Sequence, residues 1–273
     1  MPDSTDDHAQ HLSRRQNEIV ALLRKAGRVT VEELAAHFEV TPQTIRRDLN
    51  EMSEARVVTR VHGGAIVASS VENLAYDARK LVAQHHKRLI GEATARLIPD
   101  NSSLFVNIGT TTEEVARALA VRSGLLVITN NLNVANELYR NRAIDVIITG
   151  GSVRSTDGGI VGATTVDLIR QFRVDTAVIG ISAIDEDGTL LDFDVREVHV
   201  SRAIIENARR VILVTDSSKF ARSAPARLAT LADIDILVTD RLPSAEIAAL
   251  CRTHEVEVVE AGGPHEGEVP GLD

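Results

Sequence analysis

The sequence predicts an α/β protein with two domains, a small helical N-terminal domain and a larger C-terminal domain built on a parallel sheet. Apolar residues recur at helical spacing up to Met52, whereas short runs rich in Val, Ile and Leu recur from Ser103 onward. The 273 residues, 44% of them hydrophobic, suffice for one or two domains with a sizeable core. We place the domains at residues 11–67 and 81–260, joined by a linker at 68–80.

The composition excludes several classes of protein. The longest apolar runs, such as LLVIT, are far shorter than the roughly 18 to 20 residues that span a bilayer, so we expect no membrane helix. The acidic N-terminus MPDSTDDHAQ lacks the basic start and apolar run of a signal peptide, which predicts a cytoplasmic protein. Cys251 is the single cysteine, and we interpret it as a small buried residue.

Two capping boxes mark the first two helices. Ser13 stands three residues before Gln16 in SRRQNEIVALLRKAG, and apolar residues follow at helical spacing up to Gly27. Thr30 and Glu33 repeat the pattern ahead of a shorter helix in RVTVEELAAHFEV. The N-terminal segment therefore opens with two amphipathic helices.

A third helix begins in TPQTIRRDLNEM, where Thr41 can cap it and the proline is tolerated in the first turn. Two short helices joined by a tight turn, the second starting with small polar and cationic residues, are typical of a helix-turn-helix. Residues 10–66 carry nine Lys or Arg against seven Asp or Glu, in a chain of net charge -9. Two surface arginines alone would more often be merely solvated. The capped helices, together with a basic two-stranded wing that the next segment predicts, favour binding to DNA.

The wing is predicted from EARVVTRVHGGAIV, which alternates in part and contains a glycine pair. We expect two strands over residues 57–66, with basic side chains near the adjacent DNA backbone or minor groove. The candidate DNA-binding residues are Thr41, Gln43, Thr44, Arg46, Arg47, Arg60 and His62.

The C-terminal domain begins with a long helix predicted from Leu81 in LVAQHHKRLIGEATARLIPD. Six apolar runs then alternate with helical segments: LFVNIG, LLVITN, DVIITGG, TAVIGIS, RVILVTD and DILVTD. Continuous runs of this kind predict a parallel sheet that is covered by helices on both faces.

Ligands of such sheets bind beyond the carboxyl ends of the strands, where this chain places polar turns. GTTTEE follows the first strand at a helix N-terminus, which suits an anion, although helix capping alone could explain these threonines. Together with Arg154 and Lys219, the turns favour a small phosphorylated ligand that carries hydroxyl groups. The nucleotide-binding patterns GxxxxGK[ST] and GxGxxG are absent, and the histidines lack partners at metal-ligand spacing. We expect no cofactor and no metal.

The motifs TPQTIRRDLNEM and RVHGGA, followed by NIGTTTEE, TNNLNVANEL, GGSVRSTDGGIVG and RAIIENARRVILVTDSSKF, resemble those of the DeoR family of bacterial transcription regulators. The resemblance extends over nearly the whole chain. It implies a winged helix-turn-helix, a sugar-phosphate sensor domain, and a repressor that binds operator DNA as a dimer or tetramer. A sugar or polyol phosphate would release it, and the resemblance in the segments TNNLNVAN, RSTDGGIVG and RAIIEN implies that this ligand is sn-glycerol 3-phosphate.

The family's sensor domain resembles sugar-phosphate enzymes of the ribose-5-phosphate isomerase type. This resemblance, combined with the cationic residues Arg154 and Lys219, implies a set of ligand-binding residues. They are Gly109, Thr110, Thr111, Thr112, Asn131, Gly151, Arg154, Asp192, Glu197 and Lys219. Two alternatives stay open, a regulator that senses a different sugar phosphate and an isomerase that uses Glu197 as its base. The segment TLLDFDVRE lacks the lysine expected of the enzyme, which favours a pocket for binding and no catalysis.

Overall fold

The computed structural model describes residues 12–26, 28–54, 57–61, 64–66, 76–220 and 222–261. The chain divides into two compact units, Met1–Gln84 and His85–Asp273. Among the described helices, none is both long enough and apolar enough to cross a membrane.

The described residues of the first unit form short helices and three short strands. These are α1 (Arg14–Ala26), β1 (Arg28–Thr30), α2 (Val31–His37), α3 (Pro42–Glu54), β2 (Thr59–Val61), β3 (Gly64–Ile66) and α4 (Tyr76–Leu81).

Local caps start the first three helices, as predicted. The Ser13 hydroxyl accepts a hydrogen bond from the backbone amide of Gln16 at 3.2 Å. In return, Gln16 Oε1 accepts one from the backbone amide of Ser13 at 2.9 Å. Thr30 and Glu33 form the same reciprocal pair at α2. Thr41 Oγ1 accepts from the Thr44 amide at 3.3 Å at the start of α3. Each cap satisfies amide groups that the first helical turn leaves without a partner.

The predicted two-stranded wing is part of a three-stranded sheet of order β1-β3-β2. Strand β1 lies between α1 and α2, and Arg28 pairs with Ile66 across the sheet. The prediction omitted β1 because three residues give no periodic signal and their partner lies far along the chain. Helix α4 occupies residues 76–80 of the predicted linker together with Leu81, the first residue of the predicted C-terminal domain. The rest of the predicted linker, residues 68–75, lies outside the described residues.

The second unit contains the larger share of the secondary structure. Its helices are α5 (Gln84–Leu97), α6 (Thr110–Leu119), α7 (Leu132–Leu138), α8 (Ala163–Ile169), α9 (Val195–Glu206) and α10 (Ala245–Thr253). Its strands are β4 (Ser103–Val106), β5 (Leu125–Thr129), β6 (Ile144–Ile148), β7 (Ser152–Val153), β8 (Ile160–Val161), β9 (Val174–Ile179), β10 (Ala183–Ile184), β11 (Thr189–Asp192), β12 (Ala208–Val214), β13 (Ala226–Thr230), β14 (Ile236–Thr239) and β15 (Glu257–Glu260).

Seven of these strands form one sheet of order β15-β14-β12-β9-β4-β5-β6, and every neighbouring pair is parallel. The six predicted strands all belong to it. The seventh strand, β15, was not predicted, because it lies at one edge of the sheet and two glutamates bound its short apolar run.

Helices cover both faces of the sheet, as the apolar runs predicted. Helices α5, α6 and α7 pack on one face, and α8, α9 and α10 pack on the other. Within β4, Leu104 and Val106 face the first layer, whereas Phe105 faces the second. Such alternation explains why the strands contain runs of consecutive apolar residues.

The long helix predicted from Leu81 begins instead at Gln84. Ala83 has a positive φ of 55°, which an L-residue in a continuous helix does not adopt, so α4 and α5 are separate. The sequence predicts Leu81, Leu89, Ala93 and Leu97 on the apolar face of this helix. The observed buried face differs in part, since Ile90 and Thr94 are fully buried and Leu89 is only half-buried.

Helices α5 and α6 approach closely at Gly91. A Cβ atom at this position would lie 2.7 Å from the carbonyl carbon and oxygen of Glu114, and both of these atoms are backbone. We predict that Gly91→Ala lowers the free energy of unfolding by about 1 to 3 kcal/mol through overpacking, although alanine favours the helix. Urea unfolding of the full chain measures this change.

Gly150→Ala is the matched control, because its Cβ would meet only a methyl group of Thr164 at 3.6 Å. Equal stability of the two variants would show that α5 and α6 do not pack this closely.

Candidate functional site

The first candidate surface is the exposed side of α3. Ile45, Leu49 and Met52 are fully buried at the back of the helix. Gln43, Arg46 and Arg47 consequently lie on the exposed side. The helix therefore presents the face that a recognition helix would turn toward the major groove.

This face borders a surface groove of about 1010 Å³ that α1 and α3 line together. Thr41, Gln43, Thr44, Arg46 and Arg47 all line it. Arg15 of α1 donates from Nε and Nη2 to the two carboxylate oxygens of Asp48, at 2.6 and 3.1 Å. This bidentate ion pair fixes α3 against α1.

The wing residues complete the predicted DNA-binding set. Arg60 lies in β2, in register with Ala65 of β3. His62 lies outside the described residues.

The second candidate site lies at the carboxyl ends of the parallel strands. The chain runs from β4 to β5 and β6 on one side, and then places β9 on the other side of β4. Strand order therefore reverses between β4 and β9, and open α/β sheets bind ligands at such a switch point. The loop from Asn107 to Gly109 leaves β4 at this place, and the backbone of Gly180 after β9 packs closely on it.

Gly109 permits the turn from β4 into α6. Its φ is 152°, a conformation that favours glycine, and it supplies no side chain to cap the helix. Thr110, Thr111 and Thr112 follow as the buried first turn of α6. The Thr112 hydroxyl donates within the loop, to the carbonyls of Asn107 and Gly109. The amides of the first turn and the positive end of the helix dipole are suited to an anion.

Asn131 lies beside this turn and is fully buried. Its Oδ1 accepts from the Asn133 amide at 2.9 Å and so caps α7, while its Nδ2 donates to Glu113 Oε1 at 3.4 Å. Asn133 Nδ2 donates to the same Glu113 oxygen at 3.0 Å. The side chain of Asn131 thus links the N-termini of α6 and α7.

Gly151, after β6, requires glycine for two reasons. Its φ is 143°, and a Cβ atom would collide with Thr165 Oγ1 and lie 2.8 Å from the carbonyl oxygen of Val161. The position is therefore set by close backbone packing in the turn.

Arg154 binds three carboxylates. Its guanidinium donates to both oxygens of Asp157 at 2.9 and 2.7 Å, to Asp194 Oδ2 at 3.0 Å, and to Glu197 Oε2 at 2.7 Å. Arg154 is 17% exposed and Asp157 only 3%. We call this cluster of four residues the Arg154 network. It ties the loop after β7 to the N-terminus of α9.

Two residues of the Arg154 network have shifted pKa values. Burial lowers the pKa of Arg154, but the hydrogen bond to Asp157 and the charges of Glu197 and Asp157 outweigh it, and the pKa lies above its ordinary value. Hydrogen bonding from the Arg196 side chain lowers the pKa of Asp194 to about 2, against the opposing effect of burial. Arg154 and Asp194 are therefore both charged at neutral pH.

Asp192 and Lys219 lie at the ends of other strands. Asp192 ends β11, is buried, and accepts from the Ser182 hydroxyl at 3.2 Å. Lys219 is buried in a 3-10 turn, Ser217–Lys219, that follows β12. Two strand spacings, on the order of 10 Å, separate β12 from β4. The structure brings Arg154 and Glu197 into direct contact, and Asn131 close to the α6 turn.

Three buried polar residues at this edge were absent from the predicted set: Asn107, Asn130 and Thr149 follow the neighbouring strands β4, β5 and β6. Each keeps a side-chain oxygen without a hydrogen-bond partner among the described residues. Asn107 Nδ2 donates to Ser201 Oγ at 2.7 Å, which connects the end of β4 to α9. Their position directly after a strand was the available sequence signal.

Clusters of three or more His, Cys, Asp or Glu side chains able to hold a metal ion do not occur in the described part of the chain. Cys251 is buried, and burial raises the pKa of its thiol.

Two family models match the chain. The DeoR-like helix-turn-helix domain matches residues 15–71, and the DeoR C terminal sensor domain matches residues 82–241.

Curated proteins are similar to nearly the full length of the chain. The glycerol-3-phosphate regulon repressor of Escherichia coli (strain K12) is 46% identical over 246 residues, which cover 90% of this chain and 98% of that protein. The protein of the same description from Haemophilus influenzae is 48% identical, covering 85% and 90%. The HTH-type transcriptional repressor CsqR of Escherichia coli (strain K12) is 39% identical, covering 90% and 94%.

Solved structures are more distant. Ribose 5 phosphate isomerase A from Neisseria gonorrhoeae aligns with a TM-score of 0.37 and 12% identity, over 49% of this chain and 52% of that chain.

We predict that Arg154→Gln lowers the free energy of unfolding by about 3 kcal/mol, because it leaves largely buried carboxylates without their counter-charge. Arg196→Gln is the control, since Arg196 is 63% exposed and pairs with the same Asp194, so its loss should cost less than about 1 kcal/mol. Urea unfolding measures both. Equal destabilisation by the two substitutions would contradict a structural role for the Arg154 network.

We predict a dependence of stability on acid pH from Asp194. Its pKa of about 2 in the folded chain lies below the ordinary 3.8, so the unfolded chain binds more protons in between. This contribution is fully present above pH 3.8 and is lost as the pH falls toward 2. Stability should fall less steeply over this range in Asp194→Asn than in the wild type, as measured by unfolding at stepped pH. Parallel profiles would refute the assignment.

Proposed function

Because the chain belongs to the DeoR family of transcriptional regulators, we propose that it represses genes of glycerol or carbohydrate metabolism and is released from operator DNA by sn-glycerol 3-phosphate. The observation that carries the proposal is its near full-length similarity to repressors of the glycerol-3-phosphate regulon. The isomerase alternative is set aside, since these relatives are transcriptional repressors and the chain is a regulator.

The first unit would read the operator. Gln43, Thr44, Arg46 and Arg47 on α3 would face base edges and phosphates, and Thr41 would orient the N-terminus of the helix. Two wing residues, Arg60 and His62, would contact the flanking backbone or minor groove. The exposed position of the α3 side chains and the caps of the helix support this assignment.

The second unit would bind the effector at the switch point. In this proposal the amides after Gly109 and the hydroxyls of Thr110 and Thr111 hold the phosphate. Lys219 supplies positive charge from the side of β12. Ligand hydroxyl groups would then meet polar side chains along the same edge of the sheet.

The remaining predicted ligand-binding residues would mostly shape this pocket. Asn131 and Gly151 hold turns in place through contacts within the chain. Arg154 is engaged by three carboxylates, so we assign to it the positioning of Glu197 and no direct contact with phosphate. Asp192 and Glu197 would accept hydrogen bonds from ligand hydroxyl groups in addition to their contacts within the chain.

Release of DNA requires that the ligand prefer an arrangement of the protein that fits the operator poorly. A ten- to hundredfold loss of operator affinity corresponds to a coupling free energy of about 1.4 to 2.7 kcal/mol. We place this regulator in the cytoplasm and propose that it acts as a dimer or tetramer, with two or more winged helices on repeated half-sites.

We predict that the purified protein binds DNA from upstream of its own or neighbouring genes, and that sn-glycerol 3-phosphate lowers this affinity at least tenfold. Fluorescence anisotropy at fixed salt measures the affinity, with ribose 5-phosphate, fructose 6-phosphate and inorganic phosphate as control ligands. Release by another sugar phosphate would overturn the choice of effector. Failure to bind any such DNA specifically would overturn the repressor proposal.

Thr111→Val tests the phosphate site. The substitution removes a hydroxyl from the first turn of α6 while keeping the shape of the side chain, so half-release should require about tenfold more ligand. Operator affinity without ligand should not change. Thr253→Val at the end of α10 is the control, because its hydroxyl donates only to a carbonyl of its own helix. An unaltered ligand response in Thr111→Val would exclude this hydroxyl from the site.

Arg46→Ala tests the recognition face. We expect the free energy of operator binding to weaken by about 1 to 3 kcal/mol and the preference for the operator sequence to relax, while the ligand still binds the sensor unit. Isothermal calorimetry with the ligand verifies that the sensor unit is intact. Unchanged affinity and preference would remove Arg46 from recognition.

A further inference from the structure

The recognition helix carries negative charge on the side that would face DNA. Arg46 and Arg47 share α3 with Asp48 and Glu51, and all four side chains line the same groove. Asp48 is 5% exposed and forms the bidentate pair with Arg15, so its charge is compensated within the protein. Glu51 is different because its side chain is 48% exposed. A carboxylate in this position repels phosphates and weakens general affinity for DNA.

Glu51 is held in place by two donors. Gln16 Nε2 of α1 donates to Glu51 Oε2 at 2.9 Å, and Arg47 Nε donates to Glu51 Oε1 at 3.0 Å. Gln16 is itself fixed, since it is 7% exposed and its Oε1 accepts from the Ser13 amide. One continuous chain of hydrogen bonds thus runs from the cap of α1 to the guanidinium of Arg47.

The hydrogen bond from Gln16 on α1 allows Glu51 to order the side chain of Arg47. An isolated ion pair between exposed residues one helical turn apart is too weak to hold an arginine, because both side chains lose rotamer freedom. Here Gln16 already fixes the carboxylate, so only Arg47 has to be ordered. Arg47 is 83% exposed and is bound through Nε. The pair with Glu51 uses Nε alone, so the two terminal amino groups of this exposed side chain can meet the O6 and N7 acceptors of guanine.

We propose that Glu51 is a specificity-determining residue of the DNA-binding unit. It neutralises the charge of Arg47 toward phosphates and orients its terminal amino groups toward a base edge. On non-specific DNA the ion pair between Arg47 and Glu51 stays intact, so Arg47 displaces no counterion from the DNA phosphates. On the operator, the guanine contact adds to the pair. This inference rests on the proposed function, since it requires that the chain bind DNA through α3.

The test compares Glu51→Gln with the wild type on two duplexes of equal length, one selected by the wild-type protein from a random pool and one scrambled. Binding of the full chain is measured by anisotropy between 50 and 300 mM salt, values on the order of those that resolve counterion release. Glu18→Gln is the matched control, because it removes the same charge from an exposed site on α1 outside the groove.

We expect Glu51→Gln to bind the scrambled duplex about fivefold more tightly at 0.1 M salt than Glu18→Gln does. The slope of log K against log salt should steepen by about 0.9 for each DNA-binding unit engaged. Affinity for the selected duplex should rise less than that or fall, so that discrimination drops. In an Arg47→Ala background, Glu51→Gln should leave the slope unchanged, because its effect acts through Arg47.

Two results would overturn the inference. One is a slope and scrambled-duplex affinity equal to those of Glu18→Gln; the other is an equal rise on both duplexes, which would reduce Glu51 to general repulsion. Neither is confused with failure of the proposed function, because in that case the wild type would select no duplex. Circular dichroism verifies that each variant is folded.

Discussion

Every functional feature of the second unit depends on the parallel alignment of its seven strands. Parallel strands place all their carboxyl ends on one edge, so residues far apart in sequence, such as Thr111, Asn131 and Lys219, come to lie along one side of the sheet. Strand order reverses between β4 and β9, the place at which open α/β sheets bind ligands, and the N-terminus of α6 lies there. The helices on both faces make this arrangement stable, since they bury the Val, Ile and Leu side chains of the strands.

Ion pairs position the polar groups in both units. Arg15 and Asp48 fix the recognition helix against α1, and Arg154 holds Glu197 and Asp194 at the start of α9. Partly buried pairs of this kind add little net stability over apolar packing, but loss of one partner is costly. Their role here is to define geometry. The same logic applies to Glu51, which has more influence on the direction of an arginine than on the stability of the domain.

The sequence was most informative where the determinant is local or where a strand is buried on both faces. The capping boxes at Ser13 and Thr30 connect residues only three positions apart, and each forms as predicted. Strands β1 and β15 were missed, because a three-residue strand and an edge strand flanked by glutamates give little periodic signal. The contacts of Arg154 could not be foreseen, since two of its three carboxylates lie 40 and 43 positions away in the chain. Only the fold places them together.

We propose that the glycine-threonine turn at the start of α6 binds the phosphate of the effector. The most direct measurement is a crystal structure of the full chain with sn-glycerol 3-phosphate. We predict phosphate oxygens within about 3 Å of the backbone amides of Thr110 and Thr111, with the ligand hydroxyl groups pointing along the sheet edge toward β9 and β12. A phosphate bound elsewhere, with these amides unaltered, would contradict it.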